Sequence, residues 1–258
     1  MTEKTEDSRE MTLIDHLLEL RTRLLRAVIA IGVVVIALAP FARQLYATLA
    51  EPLIRHLPEG SSMIAIDVAS PFFAPFKLVL ILGLLIAMPA VIYQAWAFVA
   101  PGLYRHEQRL ARPLLVASVL LFYAGCAFAY FLVFPVVFSF FTSMAPEGVA
   151  VMTDINRYLD FVLALFIAFG LAFQVPVATI VLVALGITTP DTLAKARGYV
   201  VVGAFLVAML ITPPDMISQT MLAIPVLFLY ELGIFMSRVM LRRSKEKEAA
   251  AGGDERSD

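Results

Sequence analysis

The chain has 258 residues, of which 60% are hydrophobic and only 16% are charged, and its mean hydropathy is +0.86. A soluble domain carries about 25% charged residues, so this composition excludes an ordinary soluble globular protein. The formal net charge is −1, and we predict no nucleic-acid partner.

Six apolar segments are predicted to cross the membrane as helices. A hydrocarbon core of about 30 Å takes about 20 residues at the helical rise, and long apolar runs without period-2 alternation favour helices over a closed barrel. We expect the spans at about residues 24–42, 76–98, 114–137, 158–185, 198–212 and 216–237. The prediction is an all-α integral membrane protein with one domain over residues 11–237 and disordered tails at 1–10 and 238–258.

The segment before the first span, residues 11–26, is predicted to be an amphipathic helix lying along the membrane surface. Its leucines recur at helical spacing, at Leu13, Leu17, Leu20 and Leu24. Charged residues occupy the other faces, as is typical of a helix that feeds into a membrane span.

Two carboxylates near the membrane face have two possible roles. Glu19 can pair with Arg23, four residues later, and Glu107 lies between Arg105 and Arg109 in the loop after the second span. Alternatively, the two carboxylates can bind the guanidinium groups of a cationic ligand through bidentate hydrogen bonds. The residues alone leave both roles open.

The first loop, residues 43–75, is predicted to form a cap on the outer surface. A loop of this length in a compact protein is usually functional or contains its own short helix. Pro52 and Asp67 lie within it.

The fourth span carries a polar residue near its middle. Gln174 is followed two residues later by Pro176, and an amide at this depth has to hydrogen-bond within the bundle or to a partner helix. The single cysteine, Cys126, lies in an apolar run and is expected to be a small buried hydrophobe.

The last two spans are predicted to be short. Each has about 15 residues, close to 22 Å of helix, and the turn at residues 213–215 ends with Asp215, which can cap the last span. Gln219 follows one turn later. Glu231 is costly in a membrane core, so it is either functional or extends to the interface near Arg238.

The distribution of Lys and Arg sets the predicted orientation. With a cytoplasmic N-terminus, 16 of the 20 Lys and Arg residues fall inside and four outside, which is a strong positive-inside bias. We therefore predict a multi-pass protein of the bacterial cytoplasmic membrane with both termini in the cytoplasm. No HExxH, P-loop or GxSxG motif is present and His16, His56 and His106 are scattered, so neither an enzyme nor a cofactor is predicted.

Five stretches together resemble the TatC family, the large subunit of the twin-arginine protein translocase. They are DHLLELRTRL (15–24), IAIDVASPFF (64–73), YQAWAFVAPGLYRHEQR (93–109), FGLAFQVPV (169–177) and LITPPDMISQTMLAIP (210–225). The resemblance implies a concave bundle of six helices that exports folded proteins, driven by the proton-motive force.

The resemblance also implies roles for particular residues. Glu19, Glu107, Arg21 and Phe98 match the site for twin-arginine signal peptides. Pro52 matches a residue needed for transport. The contacts with the single-span partners, TatA-like and TatB-like proteins, are implied at Met209, Thr212 and Gln219. The family further implies self-association into a multimeric receptor complex in the bilayer.

One position departs from the family pattern, because many members have Glu where this chain has Gln174. Hydrogen bonding to a partner's polar residue is the favoured role; a role that needs a carboxylate would fall to Asp215 or Glu231. The alternative function is a proton-coupled small-molecule transporter that uses Gln174, Glu231 and Lys77. An intramembrane enzyme is a distant third.

Overall fold

The chain folds as an assembly of helices. A computed structural model describes residues 13–48, 64–99, 108–143, 154–211 and 216–254, and within these ranges no strand forms beyond an isolated bridge between Ile64 and Asp154. The prediction of an all-α fold is confirmed. The predictions for Pro52, Glu107, Thr212 and Asp215 lie outside the described residues.

Nine α-helices are numbered in chain order, and a further helical stretch at residues 42–48 in the described ranges is left without a number. They are α1 (Leu13–Leu38), α2 (Ser70–Val99), α3 (Gln108–Phe128), α4 (Phe134–Ser143), α5 (Ile155–Ala172), α6 (Val175–Ala184), α7 (Pro190–Lys195), α8 (Arg197–Ile211) and α9 (Met216–Asp254). A 3-10 turn, Ala39–Phe41, follows α1, and a π-helical turn, Ala129–Val133, joins α3 to α4.

In the part of the chain that the structure describes, five helical runs are long and apolar enough to cross a membrane. They are Asp15–Thr48, Ser70–Val99, Ala111–Val137, Ile155–Ala184 and Gln219–Arg242. A shorter apolar helix, Arg197–Met209, corresponds to the fifth predicted span. These six elements overlap the six segments expected from the sequence, and the count of six membrane-crossing helices stays a prediction.

The N-terminal amphipathic segment is not a separate surface helix. Residues 13–38 form one uninterrupted helix, so the expectation of a surface helix preceding the first span is wrong. The reason is local: this stretch contains no proline, and its single glycine, Gly32, lies well inside the apolar part. Nothing in the sequence ends the helix before Leu38.

The prediction of short helices holds for α8 and fails for α9. Helix α8 has 15 residues, whereas α9 has 39, of which Gln219–Arg242 is apolar enough to span a membrane. The charge-free part of α9 does end at Glu231, but the helix itself continues to Asp254, through part of the region expected to be a disordered tail. Its last turns are rich in Ala, Lys and Glu, which are strong helix formers.

Two prolines lie where the regular α-helix changes within spans that were predicted to be continuous. Pro176 cannot donate a backbone hydrogen bond, and its ring clashes with the preceding turn, so α5 ends at Ala172 and α6 begins at Val175. Pro135 comes just after the π-turn, where the Phe134 N–H bonds the carbonyl of Ala129. The wider turn accommodates the residue that a proline forces out of the regular pattern.

The first loop and the start of α5 are joined at the predicted outer end by a set of hydrogen bonds that we call the outer clasp. Asp154 caps α5 by accepting the N–H groups of Asn156 and Arg157 at 3.0 and 2.9 Å, and its second oxygen accepts the Ile66 N–H at 3.2 Å. Asn156 also donates to Ser70 at the start of α2, at 2.5 Å. The Ile66 N–H bond to Asp154 thus holds the loop to α5, while the other two N–H groups form the cap of that helix.

We expect the outer clasp to weaken in acid because of Asp154. The backbone N–H of Arg157, followed by that of Ile66, holds the pKa of this carboxyl below its usual 3.8. A carboxyl whose pKa is lower in the folded chain stabilises the fold fully above its unfolded-state pKa of about 3.8. This stabilisation is lost as the pH falls through the lower pKa of the folded chain. Hydrogen exchange at the Ile66 amide, corrected for intrinsic rates, should therefore lose protection below pH 3.8 in the native chain.

Two variants make this expectation specific. Asp154→Asn should lose the protection of Ile66 already at neutral pH and show no further loss in acid. Asp67→Asn removes an exposed carboxyl from the same loop and should behave like the native chain. Acid-independent protection of Ile66 in the native chain would contradict the role given to Asp154.

Candidate functional site

The N-terminal part of α1 packs against the C-terminal part of α2. The ring of His16 stacks on that of Phe98 with centroids 4.3 Å apart. Two turns further along α1, Arg23 Nη1 donates to Gln94 Oε1 at 3.5 Å. Glu19 lies between these two contacts on the same side of α1. We call these five residues the α1–α2 junction.

Among the described residues, Glu19 is paired through one of its two oxygens. Both bonds from Arg23, Nη2 at 3.1 Å and Nε at 3.4 Å, go to the same oxygen, Oε1. Oε2 accepts no hydrogen bond from any residue that the structure describes. The side chains of Glu19 and Arg23 are each 25% exposed. A carboxylate accepts up to four hydrogen bonds, so a second guanidinium can bind Glu19 without displacing Arg23.

Of the other residues predicted for this site, two are described. Phe98 belongs to the junction and is half-buried, and Arg21 is exposed on α1. The structure therefore brings Glu19 and Phe98 to one place, while Arg21 forms no hydrogen bond or ion pair with the described residues. Glu107 lies outside them.

Gln174 belongs to a second polar group, between α2, α3 and the break before α6. Its Nε2 donates to the carbonyl of Ser118 at 2.8 Å, and the Ser118 hydroxyl accepts the indole N–H of Trp96 at 3.0 Å. The Gln174 amide oxygen has no donor among the described residues. Both Trp96 and Ser118 are buried, so this group joins three spans inside the bundle.

An apolar groove of about 310 Å³ opens beside Gln174. It is lined by Met88, Val91, Ile92, Ala95, Trp96, Val99, Ser118, Phe122, Leu171, Gln174, Val177, Ala178 and Val181. The wall on α2 extends from Met88 to Val99, about 16 Å at the helical rise. The groove therefore runs about half the thickness of a bilayer core, and Gln174 is one of its polar lining residues.

Glu231 pairs with an arginine that the sequence did not single out as its partner. It binds the guanidinium of Arg197 through two bonds, Nε–Oε1 at 2.5 Å and Nη2–Oε2 at 2.8 Å. Arg238 binds Asp191 at 3.3 Å. Pairing with Arg197 offsets the cost of an isolated charge, and the position of Glu231 at the inner interface stays a prediction.

The remaining predicted residues lie on α8, on α9 or in the first loop. Met209 on α8 is 49% exposed, Gln219 on α9 is half-buried, and Asp67 is exposed just before α2. Among the described residues, no three His, Cys, Asp or Glu side chains form a group that could hold a metal ion.

Comparison with known proteins decides the family. Residues 15–225 match the family described as Sec-independent protein translocase protein (TatC). The protein of that name from Azotobacter chroococcum mcd 1 is 54% identical over 253 residues, 98% of each chain, and that from Escherichia coli (strain K12) is 56% identical over 236 residues, 92% of each chain. This chain belongs to the TatC family.

The TatC fold agrees with the helices described above. The crystal structure of a twin-arginine translocase receptor TatC matches with a TM-score of 0.78 at 38% identity, covering 87% of this chain and 98% of that one. A TatC crystal structure in the detergent DDM matches with a TM-score of 0.79. The predicted family and fold class are confirmed.

Membership of the TatC family also gives the general function. The chain is a multi-pass protein of the inner membrane and a subunit of the twin-arginine, Sec-independent protein translocase. TatC is a family of translocase components and not of enzymes. The transporter hypothesis receives no support from the geometry, because Lys77, Gln174 and Glu231 bind three different partners: Asp160, Ser118 and Arg197.

Sequence reasoning missed Asp160, Arg197 and Ser118 as partners. A signal existed for Asp160, because an isolated Lys77 inside a predicted span requires an anion at similar depth. Asp160 lies at the outer end of the fourth predicted span. Arg197 was counted only as a positive charge at the membrane face. Ser118 had no signal, since one hydroxyl in an apolar helix predicts no particular partner.

The Gln174–Ser118 bond should stabilise the TatC fold modestly. We expect Gln174→Leu to lower the free energy of unfolding by about 1 kcal/mol, the usual size of a side-chain hydrogen bond between membrane helices. Thermal unfolding in a mild detergent checks this. The matched control is Gln219→Leu, because Gln219 has no hydrogen bond within the described residues and should change stability little; equal losses in both variants would contradict the prediction.

Proposed function

We propose that the α1–α2 junction binds the twin-arginine motif of signal peptides on folded precursor proteins. The observation that carries this proposal is Glu19 Oε2, which accepts no hydrogen bond from the described residues and belongs, with Phe98, to the junction at one end of the bundle. Glu107, the other carboxylate matched to the family site, would complete the pair of carboxylates. The positive-inside bias supports a cytoplasmic position for this end, with both termini on the same side.

The aromatic ring of Phe98 gives the junction a second means of recognition. Arg guanidinium groups stack on aromatic faces, whereas the Lys ammonium is a compact and strongly hydrated charge. A carboxylate and an aromatic ring in one junction therefore suit arginine better than lysine. The apolar groove beside Gln174 suits the hydrophobic part of such a peptide.

We further propose that TatA-like and TatB-like single-span proteins bind along α8 and the start of α9, and that several copies of the chain associate in the bilayer. Support comes from the exposed Met209 on α8 and the half-buried Gln219 on α9. Helices in lipid associate through close packing and interhelical hydrogen bonds. Met209 offers an apolar packing surface and Gln219 an amide for hydrogen bonding.

A photocrosslinking experiment tests the signal-peptide site. Phe98 is replaced by a photoreactive phenylalanine in the complete chain in membrane vesicles, and a labelled twin-arginine signal peptide is added. We expect crosslinking to fall several-fold when both arginines of the peptide are lysines. The same photoreactive residue at Phe72, an exposed ring at the other end of α2, is the control and should not distinguish the peptides; equal labelling by both peptides at Phe98 would refute arginine recognition here.

A further inference from the structure

Helix α8 is attached to the rest of the bundle at both of its ends. Near its C-terminus Ala208 is 2% exposed and packs in a cluster with Leu222 of α9 and Val137 of α4. At its N-terminus Arg197 binds Glu231 of α9 through two hydrogen bonds. The opposite face, with Val202, Leu206 and Met209, is exposed.

The Arg197 end has further support from α7. The Tyr230 hydroxyl donates to the carbonyl of Leu193 at 2.7 Å, and Arg238 binds Asp191 at 3.3 Å. Each of these contacts joins α9 to α7 and not to α8. The Arg197–Glu231 pair is therefore the side-chain hydrogen bond that holds the start of α8 itself, among the residues that the structure describes.

We propose that the Arg197–Glu231 pair is a positioning device that sets the direction of α8 and so the orientation of its exposed face towards a single-span partner. The inference rests on the proposed function, since it assumes that a partner helix docks on α8. Loss of the pair leaves α8 packed at Ala204 and Ala208 and leaves α7 held to α9 by Tyr230 and Arg238, so that α8 can tilt only at its first turns. Displacement is then largest near Arg197 and smallest near Met209.

The ion-pair geometry suits this role. A planar guanidinium with two parallel hydrogen bonds to a carboxylate fixes angle as well as distance, which a lysine in the same place does not. Both side chains are about half exposed, 52% and 48%, so the pair contributes little by burial. The pair contributes by fixing the orientation of α8, and a pair with the two charges exchanged should keep that orientation.

Disulfide crosslinking in native membranes tests the proposal. The chain has one cysteine, Cys126, so Cys126→Ala gives a cysteine-free background. Single cysteines at Val202, Leu206 or Met209 are then paired with a cysteine in the TatB-like partner. We expect Arg197→Glu or Glu231→Arg to lower crosslinking at Val202 about fivefold, to change it much less at Met209, and the double variant to restore both.

The outcomes separate the inference from the proposed docking. No crosslinking at any of the three positions in the otherwise unchanged chain would overturn the docking site, and the inference with it. Crosslinking that is unchanged, that falls equally at Val202 and Met209, or that the double variant does not restore would overturn the positioning role alone. Glu231→Gln, which keeps the shape of the side chain, should give an intermediate loss at Val202 and guards against variants that fold poorly.

Discussion

Gly233→Ala is expected to destabilise the chain strongly. A Cβ at Gly233 would lie 2.9 Å from the Cα of Pro176 and closer still to the hydroxyl of Thr179. That hydroxyl is buried and donates to the carbonyl of Pro176 at 2.8 Å, so it cannot move aside without losing its bond. We expect α6 and α9 to separate locally, at a cost of roughly 2–3 kcal/mol, the upper part of the range for overpacking.

The control for this prediction has the opposite sign. Gly203 on α8 has no atom within 4 Å of the position its Cβ would take. Gly203→Ala should therefore stabilise α8 slightly, because alanine is the better helix former by about 1 kcal/mol. Thermal unfolding of both variants in the same detergent measures the difference; a Gly233→Ala protein as stable as the native chain would show that α6 and α9 are not in close contact.

Glu19→Gln is expected to reduce export of a twin-arginine precursor about tenfold or more. The amide keeps the size of the side chain but loses the charge, and hydrogen bonds to a charged group contribute about 1.5–3 kcal/mol. Glu19 is only one-quarter exposed, so water compensates for little of the loss. The measurement is export of a folded reporter in cells that lack the resident TatC.

Asp15→Asn provides the matched control for Glu19. It makes the same carboxylate-to-amide change on the same helix, four residues earlier, at an exposed position. Export should remain near the native level. If both variants lose export equally, a general need for negative charge on α1 explains the result, and Glu19 has no special role.

The sequence was sufficient for those features that depend on long stretches of chain. Composition and run length predicted a helical membrane protein, because no soluble fold hides so many apolar residues. Five motifs with their spacing were sufficient for the family. The 15-residue length of α8 followed directly from the flanking residues Arg197 and Thr212.

Contacts between side chains of distant elements were beyond sequence reasoning. Glu231 was predicted to be functional or to lie at the interface near Arg238, whereas its partner Arg197, from another helix, was not predicted. The broken span at Gln174 was missed because a proline in a membrane helix often only bends it. Whether Glu19 keeps an oxygen without a described partner depends on whether Arg23 binds one or both of its oxygens. No sequence pattern predicts this geometry.

The π-turn between α3 and α4 has a consequence for how the bundle is filled. Ala129, Val133 and Val137 follow one another in steps of four residues and are all at most 2% exposed. In a regular α-helix each such step rotates the side chain by about 40° from the last, so a stripe with this period would wind off the contact surface. The wider turn counteracts that drift and keeps the three small aliphatic groups in phase with α5, so that a one-residue insertion there serves to align two halves of a helix.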